Sequence, residues 1–146
     1  MKKFLALLLA AVMVMCLFAG CAGSGGSKVI KIGVFEPQSG DNGAGGKQEV
    51  LGIQYANSVK PTVTIGGEEY KIELDIQDNQ SSTDKAVSAA QQLVADKVSV
   101  ILGSYGSGVS IAAGTYFANA KIPAIGCSCT NAAVTAGNDY YFRVCF

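Results

Sequence analysis

Residues 98–127 read VSVILGSYGSGVSIAAGTYFANAKIPAIGC, and the order of signals in this stretch decides the fold. Val98 to Leu102 is a short β-branched apolar run, the pattern of a buried strand. Gly103 to Gly108 alternates glycine with serine and tyrosine, and reads as a loop. Val109 to Ala120 is alanine-rich and long enough for a helix, and Ile122 to Cys127 is a second strand. Strand, helix and strand within thirty residues make a βαβ unit. Such a unit needs two parallel strands and a right-handed crossover between them.

The flanks extend the alternation. Val29-Ile30-Lys31-Ile32-Gly33-Val34-Phe35 reads as a buried strand ended by Glu36-Pro37. Ser39 to Gly46 holds four glycines and is expected to be a loop. Lys47 to Val59 places Val50, Leu51, Ile53 and Tyr55 among polar residues, a weak helix ended by Pro61. Thr62-Val63-Thr64-Ile65 and Glu69 to Ile76 flank Gly66-Gly67, a hairpin signal. Asp78 to Ser82 turns the chain, Ser82 or Thr83 caps, and Ala86, Val87, Ala90, Leu93 and Val94 form a helical stripe. After a polar loop, Tyr140 to Phe146 begins one more strand. The expected class is α/β, a parallel-sheet, Rossmann-like lobe.

In open parallel sheets, ligands sit outside the carboxyl ends of the strands. Three loops are expected there, 36–46, 103–108 and 128–138, all rich in Gly, Ser, Thr or Asn. They offer N–H groups and hydroxyls but no strong nucleophile with its base. A P-loop ending at Gly46-Lys47 fails, because Asp41 replaces its first glycine and Gln48 its hydroxyl residue. A dinucleotide fingerprint from Gly43-Ala44-Gly45 fails at Gln48. A nucleophile elbow from Gly103 fails at Tyr105. Asp75 and Asp78 fall on opposite faces of a strand and its exit, and read as solvated edge residues rather than a carboxylate pair. What survives is a surface for binding a neutral or zwitterionic solute.

Composition narrows the classes further. The 146 residues carry 11 Lys+Arg, 11 Asp+Glu and no histidine. Lys2 and Lys3 sit in an apolar leader, so from Cys21 onward nine bases face eleven acids, a net charge of −2. Such a chain has no basic patch for nucleic acid. The missing histidine removes the commonest general base and metal ligand, and no cofactor site is expected. Residues 1–20 have the layout of a signal peptide, with Phe4 to Phe18 as its apolar core. That run is shorter than the roughly 20 residues of a spanning helix. Phe18-Ala19-Gly20-Cys21 resembles the lipobox of bacterial lipoproteins, which implies lipidation at Cys21, export and attachment to the outer face of the cell membrane. Residues 21–28 then form a flexible tether and 29–146 the folded lobe. Cys127, Cys129 and Cys145 are too few and too close for a zinc site or a relaxed 127–129 bridge, and read as small buried hydrophobes.

From Lys31 to Arg143 the chain resembles the first lobe of type I periplasmic binding proteins, in particular receptors for leucine, isoleucine and valine. The resemblance lies in an ordered set. Lys31-Ile32-Gly33-Val34 precedes Gln38-Ser39-Gly40, and Asp78-Asn79-Gln80 leads into a helix at Thr83. Val100-Ile101-Leu102-Gly103, Ile122-Pro123-Ala124-Ile125, Ser128-Cys129-Thr130 and Tyr141-Phe142-Arg143 follow. It implies a receptor, not an enzyme, that closes two lobes around an amino acid and delivers it to ABC transporter permease subunits. It also implies that this chain is truncated before the second lobe. By position, Ser107 and the main chain of Tyr105 meet the ligand carboxylate, while Ser128 and Thr130 hold carboxylate and ammonium. Ser107 alternatively only caps its helix. The acid that pairs with the ammonium belongs to the second lobe. Receptors of this kind that bind amides or urea, or that serve a sensor, remain open alternatives.

Overall fold

The computed structural model describes residues 28–145. The expected signal peptide, Cys21 and all but the last tether residue lie outside the described residues. Strand β1 (Val29–Glu36) forms from the apolar run and is followed by helix α1 (Gly43–Val59). The hairpin strands β2 (Thr62–Ile65) and β3 (Glu68–Asp78) come next, then α2 (Thr83–Ala95) and β4 (Val100–Leu102). Helix α3 (Ser107–Asn119), β5 (Ala124–Gly126), a 3-10 turn (Ala132–Val134) and β6 (Tyr141–Arg143) complete the order. The α/β class and the βαβ unit are as expected.

The six strands form one sheet in the order β2-β3-β1-β4-β5-β6. Among the described residues, only the β2–β3 pair is antiparallel. Its turn residues Gly66 and Gly67 have φ of 61° and 85°, the left-handed conformations of a tight hairpin. Strand β1 pairs in parallel with β3, from Val29 opposite Lys71 to Glu36 opposite Asp78, and on its other side with β4.

Helix α1 begins at Gly43, inside the segment expected to be a loop. Its glycines serve close approach rather than disorder. A Cβ on Gly46 would lie 2.0 Å from the Pro37 carbonyl oxygen. Helices α2 and α3 cover one sheet face, where Phe35, Leu93, Ile101, Phe117 and Tyr141 are almost wholly buried. Each contributes about 1.5–3 kcal/mol of apolar burial. Phe35 meets Phe117 edge to face, with ring centroids 5.5 Å apart. On the opposite face, among the described residues, only α1 packs, leaving a groove of about 390 Å³ between Ile53 and Ala56 of the helix and Ile32, Ile72, Leu74 and Leu102 of the sheet.

Candidate functional site

The chain runs from β1 to one side of the sheet, then crosses back so that β4 lies on β1's other flank. The segments leaving β1 and β4 therefore depart in different directions from neighbouring carboxyl ends, the place where open α/β sheets carry their ligand crevice. Residues after Glu36 and after Leu102 line this switch point.

Tyr105 stands at the exit of β4, 41% exposed. Its ring lies against Gly45 of α1, where a Cβ would come within 2.6 Å of the ring carbons. Its backbone N–H donates to Glu36 Oε2 at 2.7 Å. Ser107 opens α3, and Gly106 rather than a serine is the N-cap residue. Instead of capping, the Ser107 hydroxyl accepts the backbone N–H of Asn131 at 3.2 Å, which draws the loop after β5 onto the start of α3. Ser128 donates its hydroxyl to Glu49 Oε1. Thr130 is exposed, and its carbonyl accepts from an Arg143 nitrogen at 2.7 Å.

The four expected residues thus gather at one sheet edge in two linked pairs. Asn131 joins Ser107 to the loop that carries Thr130. Tyr105 and Ser128 are joined through two carboxyl groups that sequence reasoning missed, Glu36 and Glu49. Glu36 is fully buried at the end of β1. Burial is the main force pushing its carboxyl up to about 9, with the neighbouring Glu49 carboxyl and its charge adding to it. The Tyr105 N–H offsets only part of the rise. The signal for Glu49 lay in helix spacing, since it stands three residues after Gly46, which is buried. For Glu36 it lay in its position as the next residue of a strand otherwise buried at that end.

Asp78 is not a solvated edge residue. Its two oxygens accept the Gln38 and Gln80 backbone N–H groups, each at 2.8 Å, and the Ser39 hydroxyl at 2.7 Å. Burial pushes its carboxyl up, but the Ser39 hydroxyl and these N–H groups outweigh that and hold it below the usual range. It fastens the loop after β1 to the loop after β3. Of the three downstream thiols, all free, only Cys129 is fully buried and Cys127 is exposed. The reading of all three as buried hydrophobes therefore fails at Cys127, which leaves β5 into the open edge.

A family model described as periplasmic binding protein matches residues 29–146. Among solved structures, the leucine-binding protein of Thermotoga maritima is similar at 35% identity with a TM-score of 0.73, over 81% of this chain and 33% of that one. A branched-chain amino acid transporter substrate-binding protein from Streptococcus pneumoniae, in complex with isoleucine, matches at 35% identity and TM-score 0.70, over 80% of this chain and 33% of its own. A solute-binding protein of an ABC transporter from Rhodopseudomonas palustris, in complex with 3,4-dihydroxybenzoic acid, matches at 29% identity and TM-score 0.69, over 79% and 31%. The chain thus spans about a third of the length of these structures. No curated protein sequence matches it.

Proposed function

The chain belongs to the periplasmic binding protein family, and from that premise we propose that it captures a small amino acid, of branched-chain type, for delivery to an ABC importer. The observation that carries this reading is the start of α3 at the switch point, with Ser107 as its first residue and the Asn131 loop folded against it. The first N–H groups of a helix lack intrahelical partners and carry positive potential, which suits a carboxylate. Tyr105 lies two residues before Ser107, and Ser128 and Thr130 precede Asn131 on the loop that Ser107 holds. The isoleucine complex at 35% identity supports the amino-acid class.

A second reading is favoured by the dihydroxybenzoate complex at 29% identity. An aromatic acid presents the same carboxylate without an ammonium group, so Ser107 would serve both. The test is a chimera in which this chain replaces the matching third of the Thermotoga protein, titrated with leucine, isoleucine and 3,4-dihydroxybenzoate. Ser107→Ala removes a hydrogen bond to a charged group, worth about 1.5–3 kcal/mol, and weakens binding roughly ten- to a hundredfold. Thr130→Ala does the same for the amino acids and little for the aromatic acid. Parent-like titration of both variants refutes this placement.

The proposal includes export, with residues 1–20 removed as a leader, Cys21 lipidated, and 29–146 held off the membrane by the 21–28 tether. Cys21→Ala then shifts the protein out of the membrane fraction; a variant still membrane-bound with its leader intact indicates a signal anchor instead.

A further inference from the structure

Glu36 and Glu49 each have one oxygen satisfied and one orphaned. Glu36 Oε2 takes the Tyr105 N–H, and Glu49 Oε1 takes the Ser128 hydroxyl. Glu36 Oε1 and Glu49 Oε2 are buried and have no hydrogen-bond partner. A carboxylate only accepts, whereas a carboxylic acid also donates. One proton placed between the two side chains satisfies both orphans together, and the two groups are within hydrogen-bonding reach of each other. The resulting chain runs from the Tyr105 N–H through Glu36 and Glu49 to the Ser128 hydroxyl. It ties the end of β1, helix α1, the loop after β4 and the loop after β5 into one network.

We propose that Glu36 and Glu49 are a carboxyl pair sharing one proton, and that this proton positions Tyr105 and Ser128 at the ligand-binding edge. The positioning role rests on the receptor reading above; the shared proton does not. The surroundings favour it from every packed element. Two ionised carboxylates side by side in a buried site repel, so one must take up a proton. Among the described residues, no lysine or arginine forms an ion pair with either group. The other titratable groups that sense the pair are Cys127, after β5, and Tyr141, on β6. Burial keeps both protonated at neutral pH, with the charges of Glu49 and Glu36 raising Cys127 further and that of Glu36 raising Tyr141. The pair therefore carries a single negative charge and no local cation cancels it.

The experiment is a nuclear magnetic resonance titration of this chain, following the glutamate side-chain carboxyl carbons and the amides of Tyr105 and Ser128. Glu36 is expected to titrate near 9, and both amides to shift with the same midpoint. Glu36→Gln supplies a permanent neutral donor, so the amides keep their neutral-pH positions and lose the alkaline transition. Glu49→Gln removes the neighbouring charge and lowers the Glu36 midpoint. The proposal is overturned if Glu36 titrates with the exposed carboxylates, or if Glu36→Gln retains the alkaline amide transition. It is equally overturned if calcium or zinc alone displaces both amides saturably at neutral pH, since the pair is then a cation site. Failure of the receptor reading would appear instead in the Ser107→Ala and Thr130→Ala chimeras and leave this titration unchanged.

Discussion

Glu36 and Asp78 face each other across the β1–β3 ladder, and their surroundings push their protons in opposite directions. Asp78, held below the usual range, stabilises the fold above its unfolded value near 3.8, and that stability is lost as pH falls through the folded value. Asp78→Asn is expected to cost about 1–3 kcal/mol at pH 7, with the difference from the parent vanishing in acid; a difference that persists in acid would mean the carboxylate charge plays no part. Glu36 has the reverse sign. The folded state holds its proton up to about 9, the unfolded chain only to 4.5, so stability falls as pH rises between those values. Glu36→Gln removes that slope and is expected to gain on the order of 1–3 kcal/mol at pH 7, rising toward pH 9. Urea unfolding at pH 4.5, 7 and 9 measures it, and a gap that does not widen with pH argues against a buried proton. Neither role was legible at the residue itself. Asp78 stands at a strand exit and Glu36 before a proline, positions that ordinarily face water, and it is other segments that enclose them, Gln38 and Ser39 for Asp78, Tyr105 and Glu49 for Glu36.

Helix α1 shows the same limit one level up. Four glycines between Ser39 and Gly46 signal a loop because glycine is a poor helix former, yet three of them lie inside the helix. What decides the matter is the space above each one. Gly46 packs on Pro37 and Gly45 on the Tyr105 ring, whereas a Cβ on Gly52 would meet nothing within 4 Å. Two substitutions in one helix are therefore expected to have opposite signs. Gly46→Ala forces the helix start away from β1 and destabilises by about 1–3 kcal/mol or more, disturbing Tyr105 with it. Gly52→Ala gains about 0.5–1 kcal/mol from helix propensity. Thermal unfolding of both variants checks this, and equal effects would show that propensity alone governs α1. The hairpin, by contrast, was legible because its turn is local, with Gly66-Gly67 supplying the positive φ between adjacent arms. The start of α3 was misplaced by two residues because Gly106, which has no side-chain hydroxyl, takes the N-cap position.

At the scale of the molecule, the βαβ rhythm was enough to foresee a parallel sheet, but not which strands flank β1. That order depends on crossovers between distant segments, and it is what sets Tyr105 beside Glu36. It also leaves the edge open. Tyr105 is 41% exposed and Thr130 is exposed, so water reaches any ligand held there. Charge-assisted contacts gain strength when an opposing surface closes and excludes that water. The solved relatives, about three times as long, have the chain length to supply such a surface, and this chain presents one edge. Further apolar surface is open as well, at Leu51, Tyr55, Phe142 and the groove beside α1, which favours self-association of an isolated lobe. By itself the 146-residue chain is therefore expected to bind leucine, valine or small amides no tighter than millimolar, on the order of −4 kcal/mol. Isothermal titration measures this directly, run at two protein concentrations so that self-association is seen separately. A micromolar constant for any of these solutes would mean that the α3 start and its neighbouring loops hold the ligand without a second surface, and that closure is not the source of affinity.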